Sequence, residues 1–179
     1  MATRRHDPDR RNRIIEKTLE VIAENGVAGT THRKVARRAD VPLGSMTYHF
    51  ADLDELLREA LTLHAMRIAE RHDARLSAAA TLDELIEAIV DFIHVDVDGS
   101  PHELVLTLEL YTLAARQPAF RAITHAWMQQ SRRALERFVD AETAFDVDAI
   151  IEGLYIHASL DQLTRTRDST ARAIRRLLG

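Results

Sequence analysis

Ser45, Thr47, Tyr48 and His49 set two hydroxyls, a phenol and an imidazole within five positions, directly after Gly44. Such groups donate to and accept from base edges and phosphate oxygens, and a glycine lets the backbone come close to a phosphate. Arg33, Lys34, Arg37 and Arg38 add positive charge just upstream, next to Thr31, whose hydroxyl suits a helix start. This set of residues is suited to holding nucleic acid rather than to making or breaking bonds.

Other chemistries find less support. The chain has no cysteine, which excludes disulfides, thiolate metal sites and a cysteine nucleophile. No Gly-x-Ser-x-Gly, phosphate loop or dinucleotide-binding glycine pattern occurs, so the reading is of a protein that is not an enzyme and needs no cofactor. The run His94-Val95-Asp96-Val97-Asp98-Gly99 imitates a calcium loop. It lacks the acidic first ligand, ends at Val105 instead of glutamate, and contains Pro101. Among nine histidines, His64 and His72 share a helix face two turns apart, and His157 lies four residues before Asp161. No H-E-x-x-H pair exists, so no metal site is assigned.

A second set of residues suits a small-molecule pocket: Phe92, Glu109, Tyr111, Trp127 and Tyr155. Glu109 is isolated in the apolar stretch 105–110 and would orient a polar or cationic ligand. Each of the five reads more readily as core or interface than as a ligand contact.

The elements that must position these residues are helices. Hydrophobic residues make up 46% of the 179, aromatics only 5%, and glycine and proline are scarce, which leans to an all-α protein with a sizeable core. Ile14, Ile15, Leu19 and Ile22 give a first helix over about 9–25, stopped by Gly26. Two short helices follow, about 32–39 and 43–50, joined by a tight turn at Asp40-Val41. A long helix over about 53–76 starts behind Asp52. Further helices are expected from Thr81, over 102–116, 119–141, 147–163 and 170–178, with Asp98-Gly99-Ser100-Pro101 as the clearest turn. No segment alternates long enough for a strand.

Two short helices braced by a longer one describe a helix-turn-helix, whose second helix enters the DNA major groove. Ser45, Thr47, Tyr48 and His49 would be its exposed face, with Val35, Ala36, Val41, Met46 and Phe50 beneath. A helical hairpin inside a bundle has the same pattern. Charge adds a second observation. Residues 1–50 hold ten basic and six acidic residues, a net +4, while the remainder carries −8. Phosphate attraction would therefore be local to the head. No run approaches the length of a transmembrane helix, and the basic N-terminus is followed by Asp9, Arg10 and Arg11 rather than an apolar stretch. A cytoplasmic protein with no membrane partner is the expectation.

Residues 14–57 resemble the DNA-binding domain of tetracycline-repressor (TetR) family regulators. The resemblance rests on the run Leu19–Gly26, Thr30-Thr31, Val35-Ala36, the run Val41–Phe50 and Leu56-Leu57. It implies an N-terminal three-helix helix-turn-helix domain, 1–53, followed by a helical-bundle ligand-sensing and dimerisation domain, 54–179. It further implies a homodimer that represses genes at a palindromic operator and is released by a small-molecule effector. Carried over by position, Thr31, Arg33, Ser45, Thr47, Tyr48 and His49 fall where members touch bases or phosphates, and Gly44 falls on the close-approach glycine. Three residues depart from the family pattern. Leu43 and Leu53 stand where many members have lysine, and Asp40 stands where the turn often has glycine. Lys34 and the arm residues Arg4, Arg5, Arg10 and Arg11 are expected to replace the missing phosphate contacts. The helices at 119–140 and 147–163, with their long apolar stripes, are the expected dimerising pair. A helical adaptor that uses the same fold without operator DNA is the alternative.

Overall fold

The computed structural model describes residues 9–99, 101–162 and 165–178. These residues form helices only: α1 (Arg10–Asn25), α2 (His32–Arg38), α3 (Gly44–His49), α4 (Leu53–Ser77), α5 (Leu82–Gly99), α6 (Pro101–Arg116), α7 (Pro118–Leu135), α8 (Ala141–Leu160) and α9 (Arg167–Leu178). The all-α expectation holds. Among the described residues, no helix is long and apolar enough to cross a membrane.

Local chemistry explains the boundaries. Asp52 accepts a hydrogen bond from the Glu55 amide (2.7 Å) while the Glu55 carboxylate accepts one from the Ala51 amide (2.5 Å), which fixes the start of α4. Thr81 and Glu84 repeat the device at α5, with the Thr81 hydroxyl accepting from the Glu84 amide and Glu84 accepting from the Ala80 amide. Pro118 opens α7, where its missing N–H costs nothing.

Several expected boundaries move. The helix expected to run to Ala141 ends at Leu135, and α8 begins at Ala141, well before Val147, because the Asp140 carboxylate caps it by accepting from the Thr143 amide (2.8 Å). Its C-terminal end is Leu160; Leu163 lies outside the described residues. The turn placed at 98–101 is also corrected, since α5 continues through Gly99 and α6 starts at Pro101; Ser100 lies outside the described residues, as do Arg4 and Arg5 of the arm. The last helix starts three residues early, at Arg167.

The apolar core forms two clusters, and neither stops at residue 53. One joins the inner faces of α1–α3 (Ile14, Ile22, Val35, Met46, Phe50) to Leu56, Leu57, Ala60 and Leu61 of α4, Leu106 and Leu110 of α6, and Phe120 of α7. The other joins α5, α8 and α9 to the far ends of α4 and α7. Asp52 caps the start of α4, and across the expected boundary at residue 53 the head is packed onto the body by a continuous hydrophobic layer.

Candidate nucleic-acid interface and effector cavity

In the head, α2 starts on Thr31, whose hydroxyl accepts from the Lys34 amide (3.3 Å). The turn into α3 passes through Asp40 at φ +51°, a left-handed conformation that glycine adopts most easily and aspartate tolerates. This accounts for the family's frequent glycine there and for the acceptable exception. Arg13 braces the same turn by donating to the Ala39 carbonyl (3.2 Å).

On α3, Tyr48 is 84% exposed, Thr47 is exposed and His49 is half-buried. Burial, and then the nearby Arg10 and Arg11, hold the His49 imidazole below its ordinary pKa. Gly44 is exposed, and a Cβ added there would meet no atom of the described residues within 4 Å. Among the described residues nothing therefore requires glycine at this position. Ser45 differs from expectation: it is buried, because it lies one position before Met46 on the side of α3 that faces the core. Thr47, Tyr48 and His49 form the presented face, with Arg33 and Thr31 exposed on the neighbouring helix.

The basic residues are divided by their partners. Lys34 donates to the Asn25 side chain (2.8 Å) and to the Gly29 carbonyl (2.7 Å), so its ammonium ties α2 to the loop after α1. Arg11 pairs with Glu59 and lies over the Phe50 ring at 5.0 Å, pinning α1 to α3 and α4. Arg38 pairs with Glu20 and Glu24. These three brace the head, whereas Arg33 and Arg37 are left exposed. Leu53, at the other family lysine position, packs against the core cluster.

A cavity of about 50 Å3 lies among α4, α5, α6, α7 and α8. Four of the five expected pocket residues line it. Phe92 stacks on Tyr155 (ring centroids 5.2 Å apart, planes 15° apart), and Tyr111 stacks on Trp127 (5.9 Å, 21°). Glu109 does not line it. On α6 the cavity residues Glu103, Thr107 and Tyr111 recur every four positions, and Glu109 falls on another face, where it lies against Gly26 at the end of α1.

The acids at the cavity are others, missed in the sequence: Glu103, Asp148 and Glu152. Glu103 is neutralised by a two-pronged pair with Arg71 (2.8 and 2.7 Å), and Asp148 sits 3.6 Å from Arg132. Glu152 is hydrogen-bonded to the Tyr111 hydroxyl, and among the described residues no Lys or Arg pairs with it. Burial raises its pKa, an effect the Tyr111 hydrogen bond opposes and the nearby Asp148 reinforces. Burial likewise raises Asp148, against the Ser131 hydrogen bond and Arg132. The Tyr111 phenol is pushed up by burial and by Glu152 and stays protonated. Asp148, Glu152 and Tyr155 were legible as one face of α8 by their spacing of four and three, within an otherwise apolar stretch. Elsewhere, His72 packs edge-on to Phe92, while His64 bonds to Thr107; among the described residues no three potential metal ligands converge.

Comparisons with known proteins agree with this layout. Residues 14–60 match the family described as bacterial regulatory proteins, tetR family, and residues 80–179 match the tetracyclin repressor-like C-terminal domain. The solved structure of SCO7518 from Streptomyces coelicolor A3(2), described as a transcriptional regulator, is 50% identical, with a TM-score of 0.90 over 96% of this chain and 99% of that one. The multidrug binding protein EbrR complexed with ethidium is 31% identical (TM-score 0.79, covering 94% and 98%). The HTH-type transcriptional regulator BetI of Burkholderia thailandensis is 30% identical over 84% of this chain and 82% of its own length. Two matched domains that together span most of the sequence, with relatives of nearly equal length, place the protein: it belongs to the TetR family of transcriptional regulators, which are not enzymes.

Proposed function

We propose that the protein is a repressor that binds a palindromic operator as a homodimer and releases it when a flat aromatic cation enters the cavity. The observation that carries the effector class is Glu152, a carboxylate without a basic partner among the described residues, in a cavity also lined by two pairs of stacked aromatic rings. Aromatic faces and an uncompensated carboxylate attract a delocalised cation and discriminate against anions. EbrR has been crystallised with ethidium, proflavin and malachite green, all aromatic cations, which supports the same class here.

On the DNA side, Thr47, Tyr48 and His49 would read or approach the major groove. Thr31, Arg33 and the backbone at Gly44 would hold phosphates, and the expected roles of Ser45 and Lys34 reduce to supporting the head. The dimer is supported by α8, whose outer side exposes Phe145 and Leu160 and keeps Gly153 open to close approach. The outer side of α7 is more polar, with Arg121, His125 and Arg133. Two heads would then meet half-sites about 34–36 Å apart or at a wider family spacing.

The test is fluorescence anisotropy with DNA from upstream of the protein's own gene. A fragment bearing an inverted repeat should bind at low salt, bind more weakly as salt rises, and dissociate on addition of ethidium. Binding indifferent to ethidium, proflavin and malachite green would defeat the effector class, and failure to bind any such fragment would defeat the repressor reading.

A further inference from the structure

The cavity is too small for its proposed occupant. Small-molecule pockets hold roughly 300–1,000 Å3, and this one holds about 50 Å3. A three-ring cation can enter only if walls separate. Both α4 and α6 pack broadly on α7, but they touch one another sparsely. The α4–α6 seam is therefore a wall with little direct packing to lose.

Two polar contacts cross that seam: the exposed Arg71–Glu103 ion pair, and one that is buried. His64 of α4 and Thr107 of α6 are both buried, at 4% and 5% exposed, and His64 Nε2 lies 3.0 Å from Thr107 Oγ1. Thr107 also lines the cavity. Burying an imidazole and a hydroxyl costs free energy that their mutual hydrogen bond only partly returns, and an apolar pair would pack there more cheaply. What the polar pair adds is direction: it holds at one relative position of the two helices and is lost when they part. The head straddles the seam. Leu56, Leu57 and Leu61 of α4 and Leu106 and Leu110 of α6 share one cluster with Ile14 and Ile22 of α1, so parting the helices must re-aim the head.

We propose that the His64–Thr107 hydrogen bond is the buried tie that, beside the exposed Arg71–Glu103 pair, holds the seam shut in the DNA-binding form, and that effector entry breaks it. The proposal rests on the cavity being the effector site. A tie of this kind taxes effector binding, because the binding-competent form is rarely populated while the tie holds. Removing it should make the effector bind more tightly, the opposite of what losing a ligand contact does.

Thr107→Val in the full chain tests this. Ethidium, followed by its own fluorescence, should bind at least threefold more tightly, while DNA affinity without ethidium stays within twofold of the parent, because the closed form still dominates. His64→Leu, which removes the bond from the other side, should shift ethidium affinity in the same direction. Thr107→Ser keeps the hydroxyl and should behave as the parent. Unchanged or weaker ethidium binding in Thr107→Val, or in His64→Leu should Thr107→Val fail to fold, overturns the proposal. So does Thr107→Ser behaving as Thr107→Val. Hydrogen exchange without any ligand supplies an independent arm. Amides at 60–68 and 103–111 should exchange several-fold faster in Thr107→Val and in His64→Leu, and equal protection overturns the tie. If the parent protein does not bind ethidium, the effector class fails and the exchange arm alone decides the tie.

Discussion

The Glu109 carboxylate lies against the Cα of Gly26, with Oε1 2.7 Å from the point where a Cβ would stand. Gly26 ends α1 at φ +68°, and Glu109 belongs to α6, so this contact joins the head to the body. Gly26→Ala places a side chain in a left-handed conformation and against an oxygen. The oxygen is the free end of a flexible side chain and can swing away, so the backbone cost dominates, at about 1–2 kcal/mol. Urea unfolding should show that loss. Glu109→Ala should not restore it; a coupling above about 1 kcal/mol in the double-mutant cycle would show that the contact, not the dihedral angle, sets the cost.

Gly44 invites the reverse experiment. Its added Cβ would meet nothing among the described residues, and alanine favours a helix over glycine by up to about 1 kcal/mol. Gly44→Ala should leave stability equal or slightly higher while weakening operator binding at least tenfold, because the Cβ would meet the DNA backbone. Anisotropy and thermal unfolding on the same preparation separate the two effects. Unimpaired DNA binding would remove Gly44 from the interface.

The contrast between these glycines shows what the sequence made legible. Helix periodicity and caps such as Thr31 and Asp52 placed α1–α4 to within a residue or so, because those signals are local. The aromatic cavity residues Phe92, Tyr111, Trp127 and Tyr155 were found by type alone. Glu109 was misplaced because side-chain type does not say which face of α6 meets the cavity; the fourfold spacing of Glu103, Thr107 and Tyr111 does, once α6 is seen beside α4 and α8. Ser45 was misplaced by one position for a similar reason: on a helix as short as α3, the apolar pattern is too brief to fix the phase. Lys34 was read from its charge, and only the fold shows that charge spent on Asn25 and Gly29.

His64 gives the stability a pH dependence of known sign. Burial, with Arg71 and Arg67 nearby, lowers its pKa from 6.5 to about 4. The folded chain keeps the ring neutral to about pH 4, whereas the unfolded chain takes up a proton below about 6.5. Between those values the unfolded state binds more protons, so this contribution is complete above pH 6.5 and is lost as pH falls toward 4, to the extent of about 3 kcal/mol. Asp148 and Glu152, whose pKa values are raised, contribute with the opposite sign, so the comparison must be between variants. Urea unfolding of the parent and of His64→Leu from pH 7.5 to 4.5 isolates the term: the parent should lose more stability across that range, and parallel curves would refute a buried neutral His64.

Glu152 should control both the strength and the pH dependence of effector binding. Burial raises its pKa, so the carboxyl, hydrogen-bonded to Tyr111, takes up its proton at a higher pH than an ordinary glutamate does. An aromatic cation prefers the carboxylate, and its binding should expel the proton. Ethidium affinity should therefore rise with pH through the raised pKa and level off above it, with proton release on binding in the sloping region. Glu152→Gln keeps the size and the hydrogen bond to Tyr111 but not the charge. It should weaken ethidium about tenfold or more at pH 8 and flatten the profile, while Glu103→Gln, whose parent carboxylate is already satisfied by Arg71, should leave the slope in place. A slope that survives Glu152→Gln and disappears in Asp148→Asn would move the recognition charge one turn along α8, to the carboxylate that Arg132 and Ser131 already hold.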